Sequence, residues 1–141
     1  MKSKVAFVAL AVAAFLVAAA TTAAGHSQQA RAATVKFKMV EWDILPLTAT
    51  KTHATRVTFV VRNAGKLTHE FVVLRTAKAA GTLAAPGARE APEKGARGEI
   101  GELKPGQVKR LTLTLKKGHY SLICNLPTHY SIGQFVDFYV R

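Results

Sequence analysis

Apolar and polar residues alternate along three stretches of the chain, each with the two-residue period of a strand that buries one face. Val35, Phe37 and Met39 alternate with Lys36, Lys38 and Val40, and Val57, Phe59 and Val61 with Arg56, Thr58, Val60 and Arg62. Further on, Leu111, Leu113 and Leu115 alternate with Thr112 and Thr114. Three compact runs predict further strands: His69 to Leu74 (HEFVVL), Tyr120 to Cys124, and the β-branched and aromatic run Phe135 to Val140. Turn chemistry separates them at Asn63-Ala64-Gly65-Lys66, Lys104-Pro105-Gly106 and Lys116-Lys117-Gly118. Short strands joined by turns predict an all-β sandwich. No fixed repeat, heptad run or phosphate-binding glycine loop is present after the first segment, which excludes solenoids, coiled coils and nucleotide-binding folds. Arg75 to Gly98 breaks the pattern. It is rich in Ala, Gly, Pro and charge and reads as a long surface loop, in which Ala77 to Ala85 could form only a short helix before Pro86-Gly87.

The beginning of the chain has a different pattern. Lys2 and Lys4 precede an unbroken apolar run from Val5 to Ala20, followed by the small residues Ala23 and Ala24, and this predicts a signal peptide over residues 1–24. The competing reading is retention of the same segment as a membrane anchor, since it is about long enough to span a bilayer. Either way, the remainder is expected outside the cytoplasm: periplasmic, secreted or at the cell surface. A polar linker over 25–33 then leads into one domain over 34–141, and 141 residues leave room for one core. The chain carries 20 Lys plus Arg against 8 Asp plus Glu, a formal charge of +12, which falls to +10 without Lys2 and Lys4. Export argues against nucleic acid, as does the scatter of the basic residues, which form no stripe interleaved with aromatics. A monomer is expected, with a basic surface that steers partners bearing acidic docking surfaces.

Cys124 is the only cysteine, so an exported chain has no intramolecular disulfide partner for its thiol. The thiol is an inert buried group, an intermolecular disulfide or a metal ligand, and its surroundings favour the last. Cys124-Asn-Leu-Pro-Thr-His129-Tyr-Ser-Ile-Gly-Gln134 presents a thiolate, an imidazole and an amide at five-residue spacings in one inter-strand loop. His69 starts another strand, and strand ends of a sandwich converge at its poles. A soft thiolate with two imidazoles suits copper, and a trigonal His₂Cys site with a weak axial Met or Gln is an electron-transfer arrangement. His26, His53 and His119 lack such a setting and read as surface residues; Trp42 and Tyr120 read as packing residues.

On these residues the chain resembles the cupredoxins, or blue copper proteins, including single-domain secreted forms similar to sulfocyanin. The resemblance covers roughly Val35 to Arg141 and rests on Asn63-Ala-Gly-Lys-Leu-Thr-His69-Glu-Phe and Tyr120-Ser-Leu-Ile-Cys124-Asn-Leu-Pro-Thr-His129-Tyr-Ser-Ile-Gly133-Gln134. It implies a Greek-key β-sandwich and one type 1 copper ion with His69, Cys124 and His129 as equatorial ligands. The axial position, Met in most members, is occupied by Gln134, as in members similar to stellacyanin. A harder oxygen donor there favours Cu(II) and lowers the reduction potential. A second departure is Glu70, where many members place Asn or Asp to tie the ligand loops together; Glu70 or Glu41 is also a candidate extra oxygen ligand. Leu126, Pro127 and Ile132 flank the loop as a candidate apolar rim around His129. The implied function is one-electron transfer with redox partner proteins, and the alternative is copper storage, buffering or delivery. Enzymatic copper oxidation is disfavoured, because the remaining histidines show no His-x-His pairing.

Overall fold

The computed structural model describes residues 32–141. The expected signal segment and residues 25–31 of the expected linker lie outside the described residues. Nine strands follow in chain order: β1 (Ala32–Val40), β2 (Asp43–Pro46), β3 (Lys51–Thr52), β4 (Arg56–Asn63), β5 (His69–Arg75), β6 (Ala96–Leu103), β7 (Val108–Thr114), β8 (Gly118–Ile123) and β9 (Phe135–Val140). They form two sheets, ordered β2-β1-β4-β7 and β3-β9-β8-β5-β6. Both sheets are mixed. β1 runs parallel to β4 and β3 parallel to β9, because the chain leaves the first sheet after β2, touches the edge of the second as β3 and returns as β4. All other pairings are antiparallel.

The alternation in the sequence is the alternation of the pleat. Val35, Phe37 and Met39 of β1 and Val57, Phe59 and Val61 of β4 are all buried, as are Phe71 and Val73 of β5, Tyr120 and Leu122 of β8, and Phe138 and Val140 of β9. Phe59 sits at the centre, its ring 5.6 Å from that of Phe71 and 5.4 Å from that of Phe138. Full burial of one such side chain is worth about 1.5–3 kcal/mol, so this shared layer holds the two sheets together. β5 buries both faces. Its other side, Val72 and Leu74, packs with Ile123, Tyr130 and Ala91 into a second apolar cluster, which explains why HEFVVL is a continuous apolar run rather than an alternation.

The loop over Arg75 to Gly98 covers that second cluster. Leu83, Ala84 and Ala91 pack against it, and three side chains from the opposite loop and strand fasten it down. The Tyr130 hydroxyl donates to the Ala80 carbonyl and accepts from the Leu83 N–H; Asn125 exchanges two hydrogen bonds with the Ala91 backbone; Asp137 accepts from the Ala80 N–H. The Ala-rich stretch forms only a single 3₁₀ turn, Ala80–Thr82, so the short helix allowed by its composition is reduced to one turn. The last residues of the segment belong to β6, a strand that its composition did not announce. His119 is corrected from surface residue to clamp. Its side chain is 14% exposed, with Nδ1 against the Thr76 carbonyl and Nε2 against Asp137, both at 2.7 Å.

Candidate metal centre

Two antiparallel pairings bring the candidate donors to one pole. β5 pairs with β8 so that Val72 faces Ile123, and β8 with β9 so that Ile123 faces Phe135. The start of β5, the end of β8 and the start of β9 therefore coincide, which delivers His69, Cys124 and Gln134 together. Between the last two, the Cys124 N–H donates to the Gln134 carbonyl and the Gln134 N–H to the His129 carbonyl, closing the 124–134 loop upon itself. Thr128, just before His129, holds a left-handed backbone (φ 75°), which a β-branched residue adopts only when its surroundings enforce it.

The turn that feeds His69 is organised by Asn63. This side chain is fully buried and has every hydrogen bond it needs: Nδ2 donates to the carbonyls of Leu67 and Leu103, and Oδ1 accepts from the Gly65 N–H. Glu41 adds a second fastening. Its carboxylate accepts the N–H groups of Lys66 and Leu67, and those amides, Leu67 foremost, hold its carboxyl below the usual carboxylate range.

The donor atoms of His69, Cys124 and His129 all lie within 4.8 Å of one another. His129 Nδ1 is 3.3 Å from Cys124 Sγ and 3.4 Å from His69 Nδ1, so both imidazoles turn Nδ1 into the donor cluster. Gln134 joins them, with Nε2 3.1 Å from His69 Nδ1 and 2.7 Å from the Val40 carbonyl to which it donates. Its Oε1 is buried without a hydrogen-bond partner. His69, Cys124 and Gln134 are fully buried, whereas His129 is partly exposed.

Burial pushes the Cys124 thiol up, opposed by the N–H groups of Glu70 and then Leu126. The Glu70 N–H reaches Sγ at 3.2 Å. Burial, and then the neighbouring His129, push His69 down, so its imidazole is neutral near pH 7 with a lone pair to offer. The Glu70 carboxyl is raised, first by burial and then by Glu93, Glu99 and Glu90, while the Asn125 amide partly offsets this. Thus the backbone of Glu70 meets the Cys124 loop, and acidic side chains lie near its carboxyl in a basic chain. Neither Glu70 nor Glu41 is in the donor cluster. A buried thiol and two imidazoles suit a thiophilic transition ion, and taking one up displaces the thiol proton.

The expectation for the two aromatics divides. Tyr120 is core, its hydroxyl donating to the Lys116 carbonyl. Trp42 is not: it is 43% exposed and stands edge-on to His129 with ring centroids 5.2 Å apart. It shares with Glu41 the two-residue turn between β1 and β2, where Val40 pairs with Asp43. No sequence signal marked that turn, since Trp42 takes a left-handed backbone (φ 72°) usually given to Gly or Asn. Of the suggested rim, Pro127 and Ile132 are exposed, while Leu126 leans on the core.

No protein-family model matches the chain, and none of the curated proteins is significantly similar to it in sequence. Solved structures are similar in fold. Auracyanin A, a "blue" copper protein from Chloroflexus aurantiacus, superposes with a TM-score of 0.58 at 20% identity, covering 79% of this chain and 100% of that one. The chain has the cupredoxin fold. Dithionite-reduced auracyanin from Roseiflexus castenholzii gives a TM-score of 0.57 at 17% identity, covering 77% of this chain and 96% of that one. Rusticyanin from Thiobacillus ferrooxidans gives 0.53 at 18%, covering 78% and 77%. At these identities the likeness speaks for the cupredoxin sandwich alone, and the chemistry of this chain rests on its own residues.

Proposed function

We propose that this protein is an exported, mononuclear type 1 copper protein that carries single electrons. The observation that carries the reading is the convergence at one pole of two imidazole Nδ1 atoms and one thiol, His69 from the start of β5 and Cys124 and His129 from the loop that follows β8. Copper bound there supplies a one-electron couple, Cu(II)/Cu(I), to which soft sulfur and borderline nitrogen donors are both suited. His69, Cys124 and His129 would hold the ion through two imidazoles and a thiolate, and Gln134 would add a weaker fourth donor through Oε1, the buried acceptor that lacks a partner in the protein.

The rest of the chain serves that role by staying still. The Glu70 N–H fixes the sulfur, Asn63 and Glu41 fix the approach to His69, and the closed 124–134 loop fixes His129. A pocket with little freedom to rearrange keeps the cost of changing oxidation state low. His129, the exposed member of the donor set, gives electrons their edge, and Trp42, Pro127 and Ile132 offer apolar contact around it. The positive charge of the chain favours acidic redox partners at long range. Among the described residues no helix is long and apolar enough to cross a membrane.

Voltammetry of the copper protein tests the proposal. A reversible one-electron wave with rapid self-exchange is expected. Copper that is lost readily to a chelator and gives no reversible wave would instead favour storage or delivery.

A further inference from the structure

The turn between β1 and β2 presents its two side chains to the two different imidazoles, Trp42 to His129 and Glu41 to His69. The second contact concerns a polar atom that nothing else serves. His69 Nδ1 faces the other donors and lies 3.1 Å from Gln134 Nε2. Since that amide nitrogen donates, Nδ1 accepts, and the proton of the neutral ring sits on Nε2. Nε2 is buried and has no hydrogen-bond partner. The carboxylate that faces it is Glu41, with Oε1 at 3.9 Å.

That charge is held in place. Glu41 Oε1 accepts from the N–H groups of Lys66 and Leu67, and the carboxylate lies over Gly65, where a Cβ would collide with it. A floppy surface acid would be screened by water; a carboxylate tied at two amides keeps a constant distance from the ring. A negative charge opposite the outer N–H of a ligating imidazole fixes its tautomer and raises its basicity, as carboxylate–histidine pairs do at other metal sites.

We infer that Glu41 is a positioning residue for the metal centre, holding His69 as the Nε2–H tautomer and biasing the site toward the more highly charged copper state. The inference rests on the copper reading above for its redox part and on the protein alone for its tautomer part. Glu41→Gln separates charge from shape, because the amide oxygen can still accept from Lys66 and Leu67. In the copper protein, the Gln variant should keep the visible thiolate band of the wild type while its preference for Cu(II) over Cu(I) falls about tenfold, a rise of about 59 mV in potential. An unchanged potential overturns the redox part.

The second measurement needs no copper. Imidazole ¹⁵N shifts of the metal-free protein should show His69 predominantly as Nε2–H in the wild type and more evenly divided in Glu41→Gln. Identical tautomer populations overturn the inference, whatever copper does. If wild-type protein binds copper without a thiolate band, the copper reading fails, and the tautomer result alone decides the role of Glu41.

Discussion

Replacing Asn63 should destabilise the protein in a way that distinguishes its hydrogen bonds from its bulk. The side chain is fully buried, donates to the Leu67 and Leu103 carbonyls at 2.7 Å each and accepts from the Gly65 N–H at 2.8 Å. Asn63→Ala removes all three bonds. At about 0.5–1.5 kcal/mol net apiece they amount to roughly 1.5–4.5 kcal/mol. The bond to Leu103 is wholly buried, while those within the turn are only partly so and water can replace them in part, which brings the expected loss to about 2–3 kcal/mol. Asn63→Asp is the sharper test. The carboxylate keeps the bond from Gly65 but turns a second oxygen toward two carbonyl oxygens with no proton to share. At pH 7 it should therefore cost at least as much as alanine. Protonation restores one donor, so the folded protein binds the proton more tightly than the unfolded chain, and the Asp variant gains stability relative to Asn63→Ala as the pH falls from 7 to 5. Urea unfolding of the metal-free proteins at both pH values measures this, with midpoints compared at constant slope. An Asp variant more stable than the Ala variant at pH 7, or an Ala variant within about 0.5 kcal/mol of wild type, would refute the account of Asn63.

Tyr130→Phe deletes one hydroxyl that donates to Ala80 at 2.7 Å and accepts from Leu83 at 2.9 Å; a loss of about 1–3 kcal/mol is expected, with faster hydrogen exchange at the Leu83 amide. Zn(II) affinity, read by competition with a chromophoric chelator, should rise about tenfold per pH unit between pH 7 and 8, because each ion displaces the proton of a Cys124 thiol held above its ordinary value, while His69, held below its own, no longer competes. A flat profile would mean that the thiol is not a ligand. Gln134→Met should raise the copper potential, by about 59 mV for each tenfold loss of preference for Cu(II); an unchanged potential would remove Gln134 from the axial position.

The strands that the sequence announced and those it hid differ in one physical respect. β2, β3 and β6, the three without a readable signal, all lie at sheet edges. β3 has only two residues, β2 ends on Pro46, and β6 reads Ala-Arg-Gly-Glu-Ile-Gly-Glu-Leu, of which Ile100 and Leu103 are buried. An edge strand needs little apolar surface and is safer against intermolecular pairing when charged, so its identity resides in partners far away in sequence. β1, β4, β5, β8 and β9 are inside their sheets and must carry the apolar pattern. β7, an edge strand, was legible because Leu111 and Leu113 pack against the core.

The same distinction runs through the candidate metal centre. The grouping of His69, Cys124, His129 and Gln134 was legible because two local motifs carry all four residues. Glu41 and Trp42 were not legible in their positions. They reach the site through a two-residue turn whose left-handed Trp42 violates the usual turn chemistry. The role of His119 was equally hidden, since Thr76 and Asp137 come to it from distant parts of the chain.

The central claim is that Cys124 forms a thiolate bond to copper at this pole. Titrating Cu(II) into the metal-free protein and recording the visible spectrum tests it most directly. An intense thiolate-to-copper band that saturates at one ion per chain and is absent in Cys124→Ser is the expected result. Cu(II) binding without that band, or a band that survives the Ser substitution, would contradict it.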